Sequence, residues 1–139
     1  MASYFDAEAA IITRLKATVS EFKDVIGTAG IISDDPSTYC PLAQVSHEGF
    51  SALNNDRGEK TLIKQRWQIA IVVASPDDKD GALSRAEAGP LIIKVIQALA
   101  GWKPGAGYSA MALEQSRGDL YTSAGIAIYP MTFTTNVTI

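Results

Sequence analysis

The spacing of apolar residues along this chain switches between helical and strand-like periods. Phe5, Ile12, Leu15, Val19, Phe22 and Ile26 recur at steps of three and four, with Glu8, Arg14, Lys16, Glu21 and Lys23 largely off that stripe. This predicts an amphipathic helix starting near Ser3, with Asp6 completing a capping-box-like start and Gly27 as its left-handed stop. Asp34-Asp35-Pro36-Ser37 reads as a turn, and Tyr39–Ser46 as a first strand. In Leu62–Ala74, Trp67, Ile69, Ile71 and Val73 alternate with Gln68, Ala70, Val72 and Ala74, as in a strand buried on nearly both faces.

After the polar connection from Ser75 to Gly81, Ile92, Val95, Ile96 and Leu99 mark a second helix. Ser84 and Glu87 would form its capping box, Pro90 would sit at N1 or kink the first turn, and Gly101 would stop it. Tyr108–Gln115 reads as a third strand, Ser116–Asp119 as a turn and Tyr121–Ile139 as a long last strand. In that strand Ile126 and Ile128 are out of phase with Met131, Phe133 and Val137, which predicts an inserted residue near Tyr129-Pro130. The resulting fold class is α+β: two helices packed on one face of a four-stranded, mostly antiparallel sheet, in the order α-β-β-α-β-β.

The polar stretch Glu48–Lys60 between the first two strands is far longer than the two to five residues an ordinary hairpin needs. Lengthening a flexible loop from about four to about thirteen residues costs only roughly 1 kcal/mol of closure entropy. The fold tolerates such a loop without requiring it, and long exposed loops usually bind something. Glu48, Phe50, Leu53, Asn55, Arg57, Glu59 and Lys60 are therefore expected to form a protein-interaction arm.

Composition narrows the options. The 139 residues suit a single domain, 1–139, and 47% hydrophobic with 19% charged residues is the profile of a folded chain. A net charge of −3, from 15 acidic and 12 basic residues, gives no basic face for specific nucleic-acid binding. No cationic segment precedes an apolar run at the start, and no run is long enough to span a bilayer, so neither a signal peptide nor a membrane is expected. With Cys40 as the single cysteine, an internal disulfide is impossible and multi-cysteine metal sites are excluded.

Candidate chemistry is sparse. His47 beside Glu48 could act as a general base in a small enzyme or ligand-binding domain, but no nucleophile, orienting acid or oxyanion hole accompanies the pair. A Cys40–His47 thiolate pair is conceivable, although a lone cysteine more often packs inertly. The glycine-rich Gly101–Gly107 segment follows a helix and lacks phosphate-loop spacing. Asp77, Asp78 and Asp80 lack the closing glutamate of a calcium loop, and Arg117-Gly118-Asp119 fits a turn. We expect no enzyme activity, cofactor or metal.

The amphipathic first helix, the Pro41–Phe50 strand entering a polar arm, the Arg66–Ala74 strand, the Leu91–Pro104 helix ending Leu-Ala-Gly-Trp-Lys-Pro and the closing Ile128-Tyr-Pro-Met-Thr-Phe133 segment together span nearly the whole chain. This arrangement resembles the tail terminator (tail completion) proteins of long-tailed bacteriophages, in particular the Mu-like contractile-tail branch and its phage-tail bacteriocins. The resemblance implies a homohexameric ring on the tail tube, stopping its polymerisation and offering the surface that joins the head. It implies contacts with the tube protein, and with sheath and head-completion or neck proteins. It places the protein in the virion tail or bacteriocin particle, after assembly in the host cytoplasm. DNA would pass through the ring unbound, which suits a mildly acidic subunit. Another neck or head–tail connector ring is the alternative.

Overall fold

The computed structural model describes residues 4–27, 40–54, 61–74, 81–116, 118–121 and 125–139. Two helices, α1 (Asp6–Thr18) and α2 (Ala82–Leu99), accompany six strands: β1 (Asp24–Gly27), β2 (Leu42–Ala52), β3 (Leu62–Ala74), β4 (Ala112–Ser116), β5 (Leu120–Tyr121) and β6 (Ile126–Thr138). The strand order is β1-β2-β3-β6-β4, with β5 beside β4 along the same edge of β6. Only β1 and β2 run parallel. The sheet is thus mixed and has more strands than the four expected.

The odd-numbered residues of β3, from Ile63 to Val73, face the helices and are buried throughout. Beneath Ala7, Ile11, Leu15 and Val19 of the first helical segment and Leu91, Val95 and Leu99 of α2, they form one core with Phe133 and Val137. Each Ile- or Leu-sized side chain in it contributes roughly 1.5–3 kcal/mol by leaving water. Trp67 is fully buried at its centre, in phase with Ile69, Ile71 and Val73 as the alternation predicts.

Several boundaries differ from the sequence reading. Helix α1 stops at Thr18, whose hydroxyl turns back to donate to the Arg14 carbonyl at 2.7 Å. Phe22 and Val25 are buried all the same, but on non-helical chain, because the backbone there finds partners in β2 instead: Lys23 N–H donates to the Pro41 carbonyl, and Asp24–Gly27 pairs with Leu42–Val45. Phe5, assigned to the buried stripe, is exposed at the N-cap. Ser3 lies outside the described residues. Helix α2 begins at Ala82 behind Gly81, so Ser84 is inside the helix rather than capping it, and Pro90 sits mid-helix on an exposed position without ending it.

The last strand contains no inserted residue. Its register against β3 is unbroken from Leu62↔Thr138 to Ala74↔Ile126. Ile126 and Ile128 simply face the other side, where they pack with Cys40, Leu42 and Val72 in a second apolar cluster. Pro130, which has no donor to give, falls between the β6 residues that pair with β4 and those that pair with β5. The bulges lie elsewhere, between His47 and Phe50 in β2 and between Leu113 and Gln115 in β4. Tyr121 belongs to β5 rather than to the last strand.

Candidate interaction surface

Strand β2 does not give way to a loop at Glu48, as expected, but runs on to Ala52. Gly49, at φ 95°, supplies the left-handed backbone that lets one bulge shift the register, after which Phe50, Ser51 and Ala52 pair with Gln65, Lys64 and Ile63. The hairpin closes at Leu53, whose N–H donates to the Leu62 carbonyl at 2.9 Å, while the Asn54 side-chain oxygen accepts the Leu62 N–H at 3.1 Å. Of the predicted arm, Glu48, Phe50 and Leu53 are therefore at the end of a hairpin; Asn55, Arg57, Glu59 and Lys60 lie outside the described residues.

This hairpin end carries an aromatic cluster. The rings of Tyr4 and Phe5 meet at 4.7 Å, Tyr4 and Phe50 at 6.1 Å, Tyr4 and His47 at 5.3 Å, and His47 and Trp67 at 5.0 Å. The cluster grades from core to surface: Trp67 is fully buried, whereas Phe5 and Phe50 each expose 55% of their surface, next to exposed Leu53. Beneath it, the Tyr4 hydroxyl and His47 Nε2 lie 3.1 Å apart, and the Gln65 amide donates to the Tyr4 carbonyl at 2.7 Å. Burial pushes the His47 pKa below its ordinary value, opposed by the Glu8 carboxylate. Exposed aromatic side chains held rigidly on a strand are what a protein partner can bury with little ordering cost.

His47 and Glu48 do not form a dyad. Neighbouring strand residues point to opposite faces. His47 sits in the aromatic cluster, whereas the Glu48 carboxylate lies 3.5 Å from the Thr132 hydroxyl on the face away from the helices. Cys40 is likewise on the far side from His47, in the second apolar cluster, and burial pushes its thiol pKa up. On that same face Glu114 pairs with Lys64 at 3.1 Å and Arg66 at 3.8 Å. The glycine-rich segment after α2 is structural: Gly101 N–H donates to the Met111 carbonyl and Met111 N–H to that of Trp102, folding the segment against the helix end. Among the described residues no group of three or more His, Cys, Asp or Glu is placed to hold a metal, and no helix is long and apolar enough to cross a membrane. Asp77, Asp78, Asp80 and Arg117 lie outside those residues.

Two surface features escaped the sequence reading. Tyr4 and Phe5 were hidden behind a helical stripe that Phe5 fits in spacing but not in burial. Leu83, Ala86, Pro90 and Ile93, also at steps of three and four, form an exposed stripe on α2; the spacing was visible but was masked by the richer buried stripe beside it.

Residues 1–139, the entire chain, match the family described as phage tail terminator protein. No curated protein matches. Among solved structures, a chain of the virion of a native gene transfer agent (GTA) particle is similar in fold, with a TM-score of 0.62 at 15% identity, covering 99% of this chain and 100% of its own. A second solved structure matches with a TM-score of 0.54 at 13% identity, covering 99% and 96% of the two chains. The fold and the full-length match agree, and the chain belongs to the phage tail terminator family, a family of structural phage tail proteins.

Proposed function

We propose that this protein assembles as a homohexameric ring on the last ring of a tail tube, stops tube polymerisation there and presents the surface to which the head joins. The observation that carries the reading is membership of the tail terminator family along the whole chain. Its surface supports it: exposed apolar side chains occur on two separate parts of one sheet-and-helix domain, Phe5, Phe50 and Leu53 at the β2–β3 hairpin and Leu83, Ile93, Leu113 and Leu120 near α2 and the β4–β5 edge. A ring of identical subunits needs two different surfaces that meet head to tail.

In this reading the arm residues Glu48, Phe50, Leu53, Asn55, Arg57, Glu59 and Lys60 contact a neighbouring subunit or the tube. Phe50 and Leu53 supply apolar burial, and the charged residues set association rate and salt dependence. Sheath and head-completion or neck proteins are the further partners, in a contractile-tailed phage or a headless bacteriocin particle. The test is assembly of cognate tail tubes with and without the protein: capped tubes of bounded length support the reading, and unaltered, uncapped tubes refute it.

A further inference from the structure

His47 is the single histidine of the chain. Three rings close round it: Trp67 at 5.0 Å, and Tyr4 and Phe5 in edge contact at 5.3 Å and 5.5 Å. Trp67 is fixed in β3, fully buried in the core. Tyr4 and Phe5, just ahead of α1, are held differently. Among the described residues no backbone hydrogen bond joins them to the sheet; the Gln65 amide on the Tyr4 carbonyl, the Tyr4–His47 contact at 3.1 Å and the rings themselves do so. Part of the cover over His47 can therefore lift while every strand stays paired, and local opening of that kind costs far less than unfolding the core.

Few charges face the imidazole. From α1 the Glu8 carboxylate attracts its charged form, but burial outweighs that attraction, so His47 stays neutral to lower pH than an exposed histidine does. Asp6, in the same turn, bears on Tyr108 instead. Strand β3 presents the neutral Gln65 and Trp67, the segment ahead of α1 presents the Tyr4 phenol, and β2 itself presents Phe50. Glu48 points to the opposite face near Thr132, as do Lys64 and Arg66 with Glu114. Protonation changes two things at once. An imidazolium needs the water that Tyr4 and Phe5 keep from it. Its Nε2, which in the neutral ring can accept from the Tyr4 hydroxyl, can then only donate.

We infer that His47 is a pH-operated latch: neutral, it holds Tyr4 and Phe5 down on the sheet in one cluster with Phe50, and on protonation the segment lifts and the cluster comes apart. The imidazolium is hydrated in the lifted form and covered in the docked one. The docked form therefore belongs to neutral pH and is lost as pH falls through the His47 titration. Acid thereby withdraws Phe5 from the surface assigned above to subunit or tube contact. The use of that surface rests on the ring reading; the latch does not, and testing it on the unassembled subunit, isolated by sizing, lets the two fail separately.

Labelling with 4-fluorophenylalanine gives one fluorine line for each of the four phenylalanines, assigned by single Phe→Leu variants, and the lone histidine gives one imidazole signal. In Tyr4→Ala the Phe5 line should report a lifted ring at every pH, and His47 should titrate closer to 6.5 than in wild type. Between about pH 7.5 and about pH 5 the wild-type Phe5 line should move toward that lifted position with the His47 midpoint, the docked-to-lifted ratio falling about threefold or more. The line of the fully buried Phe133 should stay in place. In His47→Gln the Phe5 line should not move with pH. A wild-type Phe5 line that stays put through the His47 titration, that moves equally in His47→Gln, or that moves only together with Phe133 overturns the latch. Should His47→Gln fail to fold, Tyr4→Ala decides, and an unchanged His47 midpoint there is the contrary result.

Discussion

The indole N–H of Trp67 donates to the side-chain oxygen of Gln65, two residues away on the same face of β3, at 3.2 Å. Both side chains are fully buried, and the Gln65 amide also donates to the Tyr4 carbonyl at 2.7 Å. One buried amide thereby ties the centre of the core to the segment that presents Phe5. Gln65→Leu should cost about 1–3 kcal/mol by leaving the indole N–H without its acceptor. Trp67→Ala should cost about 3–5 kcal/mol by cavity formation. Because the two share a bond, the double variant should depart from additivity by about 0.5 kcal/mol or more in urea denaturation.

His47 sets a pH dependence. Burial disfavours its charged form, so its folded pKa lies below the ordinary 6.5. As pH falls, the unfolded chain takes up this proton before the folded one does. The stability due to neutral His47 is therefore fully present above the unfolded value and is lost as pH falls through it toward the folded value. The loss of melting temperature between about pH 7.5 and about pH 5.5 should be smaller in His47→Gln than in wild type. An unchanged difference would remove His47 as the source.

Cys40 should behave as a packing residue. Its buried thiol, with the pKa raised chiefly by desolvation, should react with a thiol reagent at neutral pH only as fast as the domain opens. Cys40→Ser should cost about 1 kcal/mol and leave assembly intact. Rapid labelling of the native chain would contradict this.

Strands β2 and β3 are tied together as far as Leu53 and Asn54, and Arg57 lies outside the described residues. Arg57→Glu should leave the melting temperature within about 1–2 °C of wild type, since surface changes usually stay within about 0.5 kcal/mol. It should weaken subunit or tube association and alter its salt dependence. Unfolding of the Arg57→Glu chain would reverse this division between fold and contact.

What the sequence made legible follows from how single-valued each local signal is. Both bounds of β3 were readable because strict alternation around Trp67 admits one register and one burial. In β6 the same rule misled: Ile126 and Ile128 are apolar because a second cluster lies on the opposite face, and period two cannot distinguish that from an inserted residue. The end of α1 was missed because Phe22 and Ile26 continue the helical spacing although they pack on non-helical chain, in two different apolar clusters, and the choice depends on a long-range partner, β2. Gly49 was visible, but a glycine in a polar stretch reads equally as loop or bulge until a paired strand is known. At the surface, Phe50 and Leu53 were singled out from an expected loop that is in part strand β2, while the exposure of Phe5 and of the outer face of α2 depends on which side the core takes.

A ring of this chain that terminates tails, as proposed above, should be directly visible. The most direct measurement is negative-stain imaging of cognate tail tubes polymerised with and without the purified protein. A six-membered ring should sit at one end of each tube, and the bounded tube length should become indefinite when the protein is omitted. Tubes of the same length distribution, bare at both ends in the presence of folded protein, would contradict it.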